Sequence, residues 1–151
     1  MSTDQIRKRV VLSAPRKQVW QALSDVNALT DWFGVRLSGK FAPGARLRGQ
    51  VTHKGYEDSP FEITVERVEP EHKLSWRWHP NAIDPEEDYS TEPTTLVLFE
   101  LEDHPDGTQL TVTESGFDAI PSSRRFEAYQ GNEKGWTMQM DSIQRYLAKA
   151  A

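Results

Sequence analysis

The sequence has no cysteine among its 151 residues, and this absence removes several kinds of chemistry at once. Without thiols the chain has no disulfide framework, no thiol nucleophile and no thiolate metal site. Oxidation chemistry therefore gives no indication of the cellular compartment.

Positive charge and long apolar runs are also scarce. The chain carries 18 Lys and Arg against 23 Asp and Glu, and its basic residues cluster only in the short RKR at residues 7–9. Without a basic surface for phosphates, we expect no nucleic acid partner. The first residues, MSTDQIRKR, lack the apolar stretch of a signal peptide, and no run approaches the roughly 20 apolar residues of a membrane span. We therefore expect no membrane insertion and a cytoplasmic protein.

Metal-binding and catalytic motifs are missing as well. The four histidines have neither HExxH nor paired spacing. His72 and His104 stand in turn-like strings, and a metal site shared by His53 and His79 at two strand ends is the less favoured alternative. The acidic residues 84–88 lack the alternating ligand spacing of a calcium loop. Because a Gly-rich phosphate loop and a GxSxG elbow are absent too, we expect no metal, no cofactor and no catalytic residue.

The sequence is rich in aromatic rings. Only 36% of its residues are hydrophobic, but they include five Trp, four Tyr and six Phe, so a core can be built from few, large side chains. At this length, residues 1–151 are most simply one domain, which buries about 70% of the surface of its unfolded chain.

The order of hydrophobic patterns predicts an α+β arrangement. IRKRVVLSA, residues 6–14, is typical of a strand, and Pro15 then begins the first of two short helices, with Ser13 or Ala14 as its cap. The second helix ends at Gly34. An acidic, exposed loop is expected over residues 80–93. An antiparallel meander of six strands is predicted over residues 35–41, 45–53, 61–70, 73–79, 94–103 and 108–115.

The last part of the chain predicts a long helix after Ser122. Gly131 and Gly135 weaken its first half, which favours a kink or a close approach to the backbone near Asn132. A curved sheet that grips one helix commonly leaves a cavity between them. One apolar stripe along this helix consists of Tyr129, Trp136, Met140, Ile143 and Leu147.

Two strings resemble one protein family. SAPRKQVWQALSDVNALTDWFG, residues 13–34, is similar to the opening of the SRPBCC superfamily, in particular its branch of homologues of the activator of heat-shock-protein-90 ATPase. TQLTVTESGF, residues 108–117, followed by GWTMQMDSIQRYL, residues 135–147, resembles that branch's strand ending in Ser-Gly-Phe and its helix opening with Gly-Trp. The resemblance covers residues 6–148.

The resemblance implies a helix-grip, or START-like, fold, in which a seven-stranded antiparallel sheet wraps the C-terminal helix around an apolar ligand cavity. It does not imply one activity, because relatives include lipid and hormone carriers, cyclases, hydroxylase subunits and chaperone co-regulators. The chain departs from the branch at Glu114, where many members have a histidine, and in the longer acidic loop.

Aromatic residues of the predicted interior are candidates for ligand contacts. Strand alternation places Trp76 and Trp78 on one inward face and favours Phe99 as inward. Each ring is either core packing or the wall of a cavity, and along the C-terminal helix these two roles coincide. Asn132 and Glu133 are weaker candidates near the same stripe. The candidate ligand-binding residues are Trp32, Phe33, Trp76, Trp78, Phe99, Glu114, Phe117, Tyr129, Trp136 and Met140.

Glu114 is the charged member of this set. If Leu110 and Val112 face the concave side of the sheet, so does Glu114, and a carboxylate there must be paired, hydrated or near the cavity mouth. It either lies in water or pairs with Arg124 or Arg125, or it accepts a hydrogen bond from the polar end of an apolar ligand.

Three functions are compatible with these patterns. We favour non-catalytic binding of a small hydrophobic, aromatic or lipid-like molecule in a cavity between the sheet and the C-terminal helix. The alternatives are a chaperone ATPase co-regulator or stress-response protein, and a cyclase- or hydrolase-type enzyme, which ranks last because Glu114 has no predicted histidine partner. We expect a small hydrophobic molecule as the partner, with a chaperone as the alternative, and a monomer or weak homodimer.

Overall fold

A computed structural model describes residues 4–57, 59–82, 84 and 86–150 of the chain. Most of these residues belong to seven strands and three α-helices. The element order is β1 (Gln5–Leu12), α1 (Arg16–Ser24), α2 (Val26–Trp32), β2 (Val35–Ser38), β3 (Arg46–Val51), β4 (Pro60–Glu69), β5 (Lys73–Trp78), β6 (Thr95–His104), β7 (Gly107–Ser115) and α3 (Ser122–Ala150). A single 3-10 turn at Phe117–Ala119 precedes α3.

The strands form one antiparallel sheet with the order β1-β7-β6-β5-β4-β3-β2. β1 and β2 are neighbours among the strands in sequence but lie at opposite edges, so α1 and α2 connect the two edges of the sheet. The sheet, the long C-terminal helix and the two short helices after β1 confirm the predicted helix-grip fold.

Alternation decides which face of the sheet is buried. In β6, Val97 and Phe99 are fully buried while Leu98 between them is half-buried, as the pattern predicted. In β7, Leu110, Val112 and Glu114 share the inward face and are all buried. The hairpin between β6 and β7 turns at Gly107, whose φ is +140° and where a Cβ would lie 2.0 Å from the carbonyl oxygen of Leu12. This position therefore requires glycine.

The start of α1 differs from the prediction. Pro15 occupies the N-cap position in an extended conformation, and the helix begins at Arg16, so neither Ser13 nor Ala14 is the cap. The fixed φ of proline suits both positions, and the sequence pattern alone does not distinguish them.

Helix α3 runs without interruption over Ser122–Ala150, so neither Gly131 nor Gly135 ends it, and the kink stays a prediction. The alternative, a close approach, is confirmed at Gly131, where a Cβ would lie 3.0 Å from the side-chain oxygen of Asn81. Trp136, Met140 and Ile143 of the predicted stripe are buried. None of the described helices has a stretch that is both long and apolar enough to cross a membrane.

Candidate ligand-binding site

A buried carboxylate lies between the sheet and α3. Glu114 is 0% exposed, and both of its oxygens accept hydrogen bonds. Oε2 accepts from Trp78 Nε1 at 2.7 Å and from Thr95 Oγ1 at 2.5 Å. Oε1 accepts from Trp136 Nε1 at 2.8 Å and from Asn132 Nδ2 at 2.9 Å. Two indoles, an amide and a hydroxyl thus converge on one carboxyl group.

The predicted arginine pairing of Glu114 is wrong. Arg124 forms its ion pair with Glu92 at 2.7 Å, and Arg125 donates to the carbonyl oxygens of Ile120 and Asp118. Within the described ranges, no Lys, Arg or His forms an ion pair with Glu114. The alternative of a Glu114 in water fails as well, because the side chain is fully buried. Dipoles of neutral donors, and not a counter-ion, therefore compensate the carboxylate.

Strand register and helix spacing explain why these donors meet. Trp78 ends β5 and lies opposite Thr95, which begins β6. Glu114, near the end of β7, lies opposite the next inward residue of β6, Val97. Asn132 and Trp136 are four residues apart on α3 and so share a face of that helix. Three strands and the helix thus bring their polar groups to one end of the sheet.

A cluster of aromatic rings surrounds Phe33, the C-cap residue directly after α2. The ring centroid of Phe33 lies 5.4 to 6.3 Å from those of Trp32, Phe61, Trp76, Trp78 and Trp136. Phe33, Phe61 and Trp78 are half-buried and form an outer layer. Trp76, Trp136 and Phe99 are buried beneath them, with Phe99 5.1 Å from Trp76 and 5.7 Å from Trp136.

The outer layer forms part of the wall of an open cleft of about 1270 Å³. Further lining comes from β3 and β4, from the loop after β5 and from the middle of α3, including Asn132 and Gln139. Four predicted site residues line this cleft: Trp32, Phe33, Trp78 and Trp136. The cavity predicted between the sheet and α3 is thus an open cleft, and the buried aromatic rings pack behind its wall.

The other six candidates do not line the cleft, and their direct contact with a ligand stays a prediction. Trp76, Phe99 and Met140 are buried in the core, and Glu114 lies beneath the indoles that it binds. Phe117 and Tyr129 pack against each other with centroids 5.3 Å apart, and the Tyr129 hydroxyl donates to the carbonyl oxygen of Gln5 at the sheet edge.

Comparison with known proteins places the chain in a family. A family model described as "Activator of Hsp90 ATPase homolog 1-like protein" matches residues 13–148. The chain belongs to this family. Proteins with this fold commonly bind hydrophobic ligands. A search of curated proteins finds no match.

Solved structures with the same fold include several bacterial proteins. MLL2253 from Mesorhizobium loti superposes with a TM-score of 0.78 at 23% identity, covering 97% of this chain and 98% of its own. NE0264 from Nitrosomonas europaea gives a TM-score of 0.77 at 18% identity over 99% and 97% of the two chains. DynU16, from the dynemicin biosynthetic locus, gives 0.74 at 28% identity, covering 97% of this chain and 48% of its own.

Arg124 anchors the acidic loop that borders the cleft. Its guanidinium binds both carboxylate oxygens of Glu92, lies 4.7 Å from the ring centroid of Tyr89 and approaches the carbonyl oxygen of Asn81 at 3.4 Å. Asn81 and Tyr89 line the cleft. One side chain of α3 therefore holds three points of the loop.

The acidic residues of the loop that precede Tyr89, among them Asp88, are exposed to solvent. The Ser90 side chain and backbone amide hold the pKa of Asp88 below its usual range. Within the ranges that the structure describes, no three His, Asp or Glu side chains come together in a way that could hold a metal ion.

Sequence reasoning missed two members of the site. Thr95 lies two residues before Val97 and therefore faces inward with it, so strand alternation could have placed Thr95 beside Glu114. Phe61 lies two residues before Ile63 in β4 and faces inward in the same way. Both residues are near the start of a strand, where few neighbours show the alternating pattern and the prediction is weakest.

Proposed function

We propose that this chain is a non-catalytic binding protein for a small, largely apolar, aromatic molecule. The observation that carries the proposal is the 1270 Å³ cleft lined by Phe33, Phe61, Trp78 and Trp136. Small-molecule sites are concave, mostly apolar and provided with a few placed polar groups. Flat side chains already held in position lose little conformational entropy when a flat ligand stacks on them.

Glu114 supports this function as a positioning residue. Its carboxylate fixes the Trp78 and Trp136 indoles by hydrogen bonds of 2.7 and 2.8 Å. A direct hydrogen bond from a ligand to Glu114, as the sequence suggested, stays a prediction, because a ligand donor would have to replace one of the protein donors. Chaperone co-regulation, which the family description suggests, stays a prediction as well.

Tryptophan fluorescence tests the proposal. Titration with naphthalene, a flat apolar probe, should change the emission of the wild type saturably, because Trp78 and Trp136 line the cleft. Phe61→Ala should weaken the affinity by about tenfold, since it removes one apolar ring from the wall. Phe126→Ala is the matched control, because Phe126 is 70% exposed and lies outside the cleft.

The affinities of these two variants decide the outcome. A non-saturable change in the wild type, or equal losses in Phe61→Ala and Phe126→Ala, would contradict binding in the cleft. A mass-spectrometric search for small molecules that copurify with the wild type then identifies the natural ligand.

A further inference from the structure

The Phe33 ring occupies the centre of the aromatic cluster, where a flat ligand would be enclosed best. Five aromatic rings surround it at 5.4 to 6.3 Å, and most meet it at edge-to-face angles. Such angles are the preferred contact between aromatic rings. The site therefore already holds an aromatic group, and that group belongs to the protein.

The backbone at Phe33 is fixed while its ring has an outlet. The Phe33 amide donates to the Leu29 carbonyl at 2.8 Å, and Gln139 of α3 donates to the Phe33 carbonyl at 2.9 Å. Ser142, also on α3, holds the carbonyl of Trp32 at 2.5 Å. The ring itself is half-buried and lines the open cleft, so rotation about its side-chain bonds can carry it out without moving the helix end.

Beneath Phe33 lies an indole that lacks an acceptor. Trp76 is 1% exposed, and its Nε1 has no hydrogen-bond partner among the residues that the structure describes. The indoles of Trp78 and Trp136 both donate to Glu114, and Trp32 donates to the carbonyl oxygen of Ala22 at 2.7 Å. A buried donor without a partner is rare, because burial removes its hydrogen bond to water and the protein does not replace it. The centroids of Trp76 and Phe33 are 6.1 Å apart.

We infer that the ligand is a flat aromatic molecule with a hydrogen-bond acceptor in its ring plane, which takes the place of the Phe33 ring and accepts from Trp76 Nε1. The inference rests on the proposed function and specifies its ligand class. The Phe33 ring then fills the site until a ligand displaces it, and the Trp76 indole N–H determines which aromatic ligands bind tightly. A heteroaromatic nitrogen or a ring carbonyl meets the requirement, whereas a plain hydrocarbon leaves the indole unmatched.

Physical chemistry supports both parts of this exchange. The aromatic side chains around the Phe33 ring favour another aromatic ring over water in its place. Replacing one ring by another conserves the packing of the neighbours, so the exchange has little effect on the core. The added hydrogen bond satisfies a donor that the protein leaves unpaired, and this difference separates ligands with an acceptor from ligands without one.

Isosteric probes test the inference. Naphthalene, quinoline and isoquinoline have nearly the same shape, but only the last two carry an acceptor, at two different ring positions. At mildly alkaline pH, where these bases are neutral, we expect at least one of them to bind the wild type about tenfold more tightly than naphthalene. In proton–nitrogen NMR spectra, the Trp76 indole resonance should move downfield with that probe and not with naphthalene.

Two variants test the role of the Phe33 ring and the role of the Trp76 N–H separately. Trp76→Phe keeps a ring but removes the N–H, so it should bind quinoline and isoquinoline no more tightly than naphthalene. Phe33→Ala, or Phe33→Leu where the alanine variant does not fold, should bind all three more tightly than the wild type because no ring has to be displaced. Phe126→Ala should bind them as the wild type does.

The outcomes distinguish this inference from the proposed function. Equal wild-type affinity for all three probes, or a Trp76 indole resonance that does not move, overturns the inference while saturable binding leaves the proposed function intact. Failure of every probe to bind both the wild type and the Phe33 variants overturns both. The wild-type spectrum decides the matter even where no variant folds, since through-space contacts assign the Trp76 indole.

Discussion

Replacement of Glu114 by glutamine should destabilise the protein and disturb two specific indoles. Glutamine keeps one acceptor oxygen and replaces the other by an NH₂ group. If the amide oxygen takes the place of Oε2, it serves Trp78 and Thr95, and the NH₂ group then opposes Asn132 and Trp136. In the opposite orientation the indole of Trp78 loses its acceptor.

The magnitude follows from these two orientations. Either way one buried indole N–H loses a hydrogen bond to a charged acceptor, which is worth about 1.5 to 3 kcal/mol. Removal of a buried charge without a counter-ion offsets part of that loss. We therefore expect Glu114→Gln to lower the free energy of unfolding by about 1 to 3 kcal/mol, and the melting temperature by about 2 to 4 °C for each kcal/mol.

Urea unfolding followed by circular dichroism measures this loss without relying on tryptophan emission. Glu133→Gln is the matched control, because Glu133 pairs with Lys8 near the surface, with side chains 40% and 27% exposed. The control should lose less than about 1 kcal/mol. Equal stability of Glu114→Gln and the wild type, with unchanged indole resonances of Trp78 and Trp136, would refute the assignment of the carboxylate as their anchor.

Two further substitutions test the packing around the cleft. Arg124→Ala should lower the free energy of unfolding by about 1 to 3 kcal/mol and speed chymotryptic cleavage after Tyr89, since the ion pair with Glu92 is only 17% and 18% exposed. Arg145→Ala, which removes the exposed ion pair with Asp141, should have neither effect. Equal effects of Arg124→Ala and Arg145→Ala would contradict the role of Arg124 as the anchor of the loop. Trp136→Ala should cost about 3 to 5 kcal/mol in urea unfolding, because the indole is 2% exposed. A loss well below 2 kcal/mol would contradict the close packing of this indole beneath Phe33 and Trp78.

Local patterns were enough to predict the strands, because each strand carries its own alternation and its own turn residues. The β6–β7 hairpin is an example: Asp-Gly predicts the turn, and Gly107 has the positive φ that the turn requires. The start of α1 at Arg16 was harder to predict, since proline suits both the cap and the first turn. Boundaries depend on single residues, whereas element types depend on many.

The partners of Glu114 could not be predicted in the same way. Alternation placed its side chain on the inward face, but Trp78 is 36 residues away and Asn132 is 18 residues away along the chain. Their contact depends on strand register and on where α3 crosses the sheet, which no local pattern states. Arg124 and Arg125 looked like better partners because charge is visible in the sequence, while the direction of a side chain is not.

The buried carboxylate also fixes the position of α3 along the sheet. Asn132 and Trp136 lie about one turn, or 5.4 Å, apart on α3, so a slip of the helix by one turn would move one of them out of reach of Glu114 and bring the other to its place. Apolar side chains can repack after such a slip, but a buried charge that loses a donor cannot. Since the remaining donors come from β5 and β6, a state in which either these strands or the helix is undocked leaves the charge uncompensated. One side chain thereby makes the docking of helix and sheet cooperative and penalises every misaligned arrangement of the two.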